Sequence, residues 1–310
     1  MENTILGRTG LNVSVVGLGC GGHSRLGAAH GSSASVASDL VRHSLDLGIN
    51  FIDTAAAYGT ESIVGDGLEG RRQEAVISTK SSVSTAAGPR PVSEILESLE
   101  NSLHSLKTDY IDVFNLHGVT LGDYDYAVQE VVPVLQKQQQ NGKIRYLGVT
   151  EAFIRDPSHQ MLQRALQDDL FDVVMVGFNL LNPSARRLVF PKTQDNNVAT
   201  QIMFAVRRAL SRPEALIELV GELVDKNLVS DVDAQNPLGF LSEHQDVKSV
   251  VEAAYRFCRH EPGATVVLTG TGSKQHLAEN IESILAPALP QDVRNTLQKL
   301  FGEIDSVSGN

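Results

Sequence analysis

Four residues in the first half of the chain are of types that could jointly move a proton. Asp53 ends the apolar run Phe51-Ile52, Tyr58 follows in A-A-A-Y-G, Lys80 ends A-V-I-S-T-K, and His117 ends D-Y-I-D-V-F-N-L-H. A phenol titrates near ~10, too high for an easy donor at neutral pH. An adjacent ammonium stabilises the phenolate and lowers that value, and a carboxylate paired with the ammonium holds it in place. A histidine can hydrogen-bond a carbonyl oxygen or relay a proton. Each of the four also has a plain structural use, as cap, loop aromatic, solvated cation or turn histidine. Four such residues at the ends of successive strands read instead as a proton-donor assembly. None of them is a reductant, so carbonyl reduction would need a bound hydride donor.

The elements that must position them follow a regular period. Short apolar runs at V-V-G-L-G, Asn50–Asp53, Ala75–Thr79, D-Y-I-D-V-F-N-L-H, I-R-Y-L-G-V-T, F-D-V-V-M-V-G-F, V-A-T-Q-I-M-F and A-T-V-V-L-T read as strands. Helical spacing lies between most of them. It is clearest where Ile95, Leu96, Leu99, Leu103 and Leu106 share one face. Helices are also expected over Glu61–Leu68, Tyr126–Gln140, His159–Gln167, Pro213–Lys226, Ser249–Cys258 and Lys274–Leu285. Strict alternation predicts a parallel α/β fold. Eight units and no linker-like composition break predict one domain over 1–310, a closed (β/α)8 TIM barrel. R-T-G near the N-terminus reads as the turn of a small β-hairpin, and residues 291–301 as an extra C-terminal helix.

Composition limits the partners. A formal net charge of -11 argues against nucleic acid and acidic membranes, which recruit basic faces. No apolar run approaches membrane-spanning length and no signal peptide is visible, so a soluble, cytoplasmic protein is expected. The two cysteines, Cys20 and Cys258, lack metal-ligand spacing and fit a reducing compartment. Oligomeric state is not readable.

Two glycine clusters could approach a ligand. Gly17-x-Gly19-x-x-Gly22 matches the dinucleotide fingerprint formally. The segment after Gly22 is a long small-residue loop rather than a helix, which disfavours a doubly wound sheet. The glycines, Gly21 among them, read better as a barrel loop close to a ligand. Thr269-Gly270-Thr271-Gly272-Ser273-Lys274 fails the P-loop spacing but puts backbone N–H groups and a lysine at a helix N-terminus after the last strand.

The segments L-G-R-T-G-L-N-V-S-V-V-G-L-G, G-I-N-F-I-D-T-A-A-A-Y-G, I-S-T-K, L-K-T-D-Y-I-D-V-F-N-L-H, G-K-I-R-Y-L-G-V-T and L-A-E-N-I resemble those of aldo-keto reductases across residues 5 to 281. The resemblance implies a barrel closed below by the hairpin, with NAD(P)H extended across its mouth. It implies that Tyr58 is the general acid, tuned by Lys80 and Asp53, and that His117 orients the carbonyl.

It also implies cofactor contacts, several of them altered here. Thr150-Glu151 stands where the family usually has Ser-Asn on the carboxamide, and Met175 where it often has Gln. Met203-Phe204 occupies the place of an aromatic stacked on nicotinamide. Arg207 and Arg208, just after the seventh strand, could bind the pyrophosphate. Gly270 and His276 align with a Lys and an Arg that flank a 2′-phosphate in many NADP-preferring members. Thr271, Gly272, Ser273 and Lys274 remain near that phosphate, and Glu279 and Asn280 match adenine contacts. NADP(H) is favoured on this basis, with NAD(H) as the alternative.

The expected function is interconversion of an aldehyde or ketone and its alcohol by an NADP-dependent oxidoreductase. An NAD-dependent sugar dehydrogenase of the same family is the nearest alternative. A lyase using Lys80 as Schiff base and a non-catalytic, cofactor-sensing partner come from other classes. His23, Tyr124, Tyr126 and the region 205–240 are expected as loops that shape the substrate site.

Overall fold

The computed structural model describes every residue except 231 and 234, both within the 205–240 region. The strand-like runs close on themselves. Counting the barrel strands alone, they are β1 (Val16–Gly19), β2 (Phe51–Asp53), β3 (Val76–Ser82) and β4 (Ile111–Val119). β5 (Ile144–Glu151), β6 (Val173–Gly177), β7 (Ala199–Met203) and β8 (Val266–Thr269) complete them. All are parallel, and β8 pairs with β1 through Leu268 opposite Gly17, so no edge is left unpaired.

A hairpin of Asn3–Ile5 and Asn12–Ser14 turns through Gly7–Thr9, where the sequence put R-T-G. Its Leu6 and Val13 are fully buried against Phe51, Val76, Val113 and Val173, which closes the N-terminal end of the barrel. Outside, Val92–Ser105 turns Ile95, Leu99 and Leu103 inward, as the spacing predicts. Each such residue fully buried contributes ~1.5–3 kcal/mol. The helix Lys274–Leu285 starts on Ser273, whose Oγ accepts from the His276 N–H. The extra helix Gln291–Phe301 buries Leu297 and Phe301.

Three features depart from the sequence reading. The helix expected from Tyr126 begins at Leu121 and runs to Gln140, with a π-helical turn at Ala127–Val131. Pro133 has no N–H to donate to the preceding turn, which favours the wider turn there. Tyr124 therefore sits on a helix rather than a loop. Between β6 and β7 stand two short helices, Ala185–Leu188 and Phe190–Asp195. Between β7 and β8, the short helices Arg208–Ser211 and Gly239–Glu243 join the two expected ones.

No helix among the described residues is long and apolar enough to cross a membrane. Cys20 and Cys258 are both buried thiols.

Candidate active site

Parallel strands in a barrel point their C-terminal ends at one mouth. Asp53 is the last residue of β2, and Lys80 and His117 lie near the ends of β3 and β4. Tyr58 ends the 3-10 turn Ala56–Tyr58, which Gly59 terminates in the left-handed region. Lys80 Nζ donates to Asp53 Oδ1 and Oδ2 at 2.7 and 2.8 Å and to the Thr54 carbonyl at 2.7 Å. It is fully buried, and it stands 5.2 Å from the Tyr58 ring centroid. The His117 ring meets that of Tyr58 edge-on, 5.6 Å between centroids. The structure thus brings the four residues together.

Burial sets the electrostatics of this group. On Lys80, burial pulls the pKa down, but Asp53 and Tyr58 outweigh it, so the ammonium keeps its proton. Burial pushes the Asp53 carboxyl up, and Lys80 and Ser78 pull against it. The Tyr58 phenol moves up as well, because burial outweighs the pull of Lys80. This corrects the expected net lowering. Burial, reinforced by the charge of Lys80, pushes His117 down to about 3, so its imidazole is neutral near pH 7. Its buried Nδ1 has no hydrogen-bond partner. A proton on Nε2 leaves only an acceptor orphaned there, which is less costly than an orphaned N–H.

Beneath the four lies a polar layer that the sequence reading missed. Ser78 Oγ donates to Asp53 Oδ1 at 3.0 Å and accepts from Asn115 Nδ2 at 3.0 Å and Gln201 Nε2 at 3.2 Å. The two incoming amides direct the hydroxyl hydrogen towards Asp53. A sequence signal existed: Ser78 is two positions before Lys80 and Asn115 two before His117, which places each on the same strand face.

The mouth opens into a cleft of about 1010 Å³, within the size range of cofactor sites. Gly21, His23, Tyr58, Met175, Met203 and Phe204 line its inner part. Gly270, Thr271, His276, Glu279 and Asn280 line the β8 side, and Arg207 and Arg208 the β7 side. Phe204 holds a left-handed backbone, φ 66°, with its ring against Phe153 and under the Arg207 guanidinium. Gly27 of the β1 loop packs directly on Gly272 of the loop after β8; a Cβ on Gly272 would stand 2.4 Å from Gly27 Cα.

Several expected contacts are turned elsewhere. Thr150 Oγ1 accepts the Gly118 N–H at 2.6 Å. The Glu151 carboxylate accepts the Gly177 N–H at 2.7 Å and faces His159 Nδ1 at 2.9 Å, fully buried, with His159 Nε2 3.0 Å from Ser184 Oγ. Neither residue lines the cleft. A carboxylate finds a basic partner and an amide donor in the interior, so it turns inward. Lys274 pairs with Asp39 outside the cleft, and Ser273 serves as the helix cap. Tyr124 is buried, its hydroxyl on Asp168 at 2.9 Å, and does not line the cleft. Tyr126 donates its hydroxyl to the Arg90 carbonyl. Lys80, charged and enclosed by three oxygens, is not the free amine a Schiff base requires.

Comparison with known proteins agrees with this fold. The chain is similar to an uncharacterized oxidoreductase, YqkF, of Bacillus subtilis, 26% identical over 309 residues that cover 96% of each chain. It is 36% identical over 157 residues to an L-galactose dehydrogenase of Arabidopsis thaliana, covering 48% of each. Among solved structures, the holo form of the aldo-keto reductase AKR11C1 from Bacillus halodurans matches with a TM-score of 0.76 and 26% identity, over 97% of this chain and 96% of that one. The sequence model of the aldo/keto reductase family matches residues 17–301, nearly the whole barrel with its site, and the chain belongs to that family of oxidoreductases.

Proposed function

We propose that this protein interconverts an aldehyde or ketone and the corresponding alcohol, with Tyr58 as the proton donor. The observation that carries the reading is the buried Lys80 ammonium, fixed by Asp53 on one side and facing the Tyr58 ring on the other, behind an open cleft that Asp53 and Tyr58 line. A nicotinamide dinucleotide supplies the hydride when bound. The residues present suit such a group: the cleft is roomy enough, its wall is apolar at Met175, Met203 and Phe204, and its β8 side offers the polar Thr271, Glu279 and Asn280.

The neutral His117 donates from Nε2 to the substrate carbonyl and polarises it. Tyr58 gives its proton to the oxygen as negative charge develops there, and the Lys80 ammonium stabilises the phenolate left behind. Asp53 fixes Lys80 against rotation. In the oxidative direction the phenolate takes the proton back. With Thr150 and Glu151 engaged elsewhere, the inner apolar wall and Phe204 are left to orient the nicotinamide ring. Arg208 and the loop Gly270–Thr271 are proposed for the phosphates, and His276, Glu279 and Asn280 for the adenosine end.

The sequence favours NADPH through Lys274, but that lysine is paired with Asp39. It would serve a 2′-phosphate only if the pair opens, so NADH stands as an equal alternative. A second reading, oxidation of a sugar by NAD, draws on the likeness to an L-galactose dehydrogenase over about half of the chain.

The test is a panel of aldehydes, ketones and sugars run in both directions with each dinucleotide, on the wild type and on Tyr58→Phe. Loss of the proton donor should cut turnover by ~10²–10⁴-fold while dinucleotide affinity stays. Unchanged turnover removes Tyr58 from this role. Dinucleotide binding with no turnover of any substrate favours the non-catalytic reading.

A further inference from the structure

The two adjacent arginines of the β7 loop were expected to act together, and the structure separates them. Arg208, on the rim of the cleft, lies 3.8 Å from Glu218, both well exposed. Arg207 turns into the cleft. Its guanidinium lies 4.2 Å above the Phe204 ring, and Nε and Nη2 both donate to Asn310 Oδ1, at 3.1 and 2.6 Å. An aromatic face and an amide oxygen hold it, with no carboxylate in contact among the described residues. Its remaining nitrogen, Nη1, points across the cleft: a Cβ built on Gly22 would lie 3.9 Å from it. The neighbouring Gly21 carries the Tyr58 ring on its backbone. Partial burial pulls the Arg207 pKa down and the nearby Tyr58 pulls it back, so the guanidinium is half-shielded from water and close to the reacting phenol. A cation that is partly desolvated, fixed in place and without a carboxylate against it among the described residues is preorganised for an anion.

We propose that Arg207 recognises a carboxylate on the substrate, so that this site prefers oxo acids, and hydroxy acids in the reverse direction, to their neutral analogues. This rests on the reductase reading above and names its substrate class. Two anions could reach the mouth: the dinucleotide pyrophosphate and a substrate carboxylate. The polar β8 wall and Arg208 offer the first a seat further from Tyr58. Arg207 Nη1 instead faces the β1 wall beside Tyr58, where the carbonyl must lie to receive its proton. A carboxylate a few bonds from that carbonyl falls within reach of the guanidinium, whose planar fork matches carboxylate geometry. Substrate binding would also neutralise a charge that is already partly desolvated.

The probes are glyoxylate, 3-oxopropanoate and 4-oxobutanoate, each compared with its methyl ester, with dinucleotide affinity measured separately by fluorescence titration. For at least one pair, wild-type kcat/KM should favour the acid by about tenfold or more, the size of one charge-assisted hydrogen bond. In Arg207→Gln that preference should fall to within about threefold, while the dinucleotide Kd moves less than that. Arg207→Lys, which keeps the charge and loses the fork, should retain part of the preference, and melting curves of both variants report whether they fold. Esters turned over as well as acids by the wild type overturn the proposal and leave the reductase reading standing. So does a preference that survives Arg207→Gln while the dinucleotide Kd weakens, which assigns Arg207 to the pyrophosphate. Bound dinucleotide with no turnover of acid or ester overturns both.

Discussion

The Tyr58 ring lies directly on the backbone of Gly21: a Cβ there would stand 2.4 Å from Cε2 and 2.7 Å from Cζ of the ring. Two loops that follow different strands therefore share one volume, and only a residue without a side chain leaves room for the phenol. Gly21→Ala should push the hydroxyl away from the position proposed for it beside the substrate carbonyl. A misplacement of about 1 Å costs on the order of 10²-fold in kcat. Steady-state kinetics on the best substrate should show that loss in kcat with the melting temperature nearly unchanged. Wild-type kcat in Gly21→Ala would mean that the ring position is not critical.

Lys80 and Asp53 form an ion pair whose side chains are 0% and 5% exposed. Removing one partner leaves the other buried and uncompensated. Lys80→Met should thus destabilise the fold by ~3–5 kcal/mol, and the double change Lys80→Met with Asp53→Asn by clearly less. Denaturant midpoints of Lys80→Met, Asp53→Asn and the double variant measure this, and additive losses would deny the coupling.

Ser78 Oγ stands 3.0 Å from Asp53 Oδ1, closer than its 3.4 Å to Gln201 Oε1, and two amides donate to it, so its hydrogen goes to the carboxylate. Ser78→Ala removes a donor from the charged form of Asp53, so that carboxyl should titrate at higher pH. The acid limb of the kcat profile should then move to higher pH. Leaving the Asn115 and Gln201 amides without that acceptor should cost ~1–3 kcal/mol. A pH profile that stays in place beside a lowered stability would make Ser78 purely structural.

His117 titrates at about 3 in the folded chain against an ordinary 6.5, because burial and Lys80 resist its protonation. The unfolded chain binds the extra proton first. Stability from this residue is therefore complete above about pH 6.5 and declines as pH falls towards about 3. In His117→Gln the drop in urea midpoint between about pH 7 and about pH 4.5 should shrink. An unchanged drop would place the acid sensitivity elsewhere.

Much of this is legible in the sequence. Alternating apolar runs and amphipathic helices determine a parallel barrel, because each strand must be covered on its outer side by the helix that comes after it. Once the barrel is given, strand-end positions determine that Asp53, Lys80 and His117 converge. The polar layer of Ser78, Asn115 and Gln201 was within reach of the same period-two rule.

Other features depend on neighbours distant in sequence. Glu151 reads as a cofactor contact until His159 and the Gly177 N–H are seen to hold it inside. Tyr124 reads as a loop residue until a helix carries it onto Asp168. The direction of the Tyr58 shift could not be foreseen, since Lys80 was visible in the sequence and the depth of burial opposing it was not. Arg207 and Arg208 are identical in type and adjacent in the chain, yet a ring and an amide far along the chain turn one inward. Composition and spacing determine which elements form and which ends they share. The direction a polar side chain faces, and whether water or protein surrounds its charge, is decided only when the remote partners arrive, because desolvation and hydrogen bonding act through space.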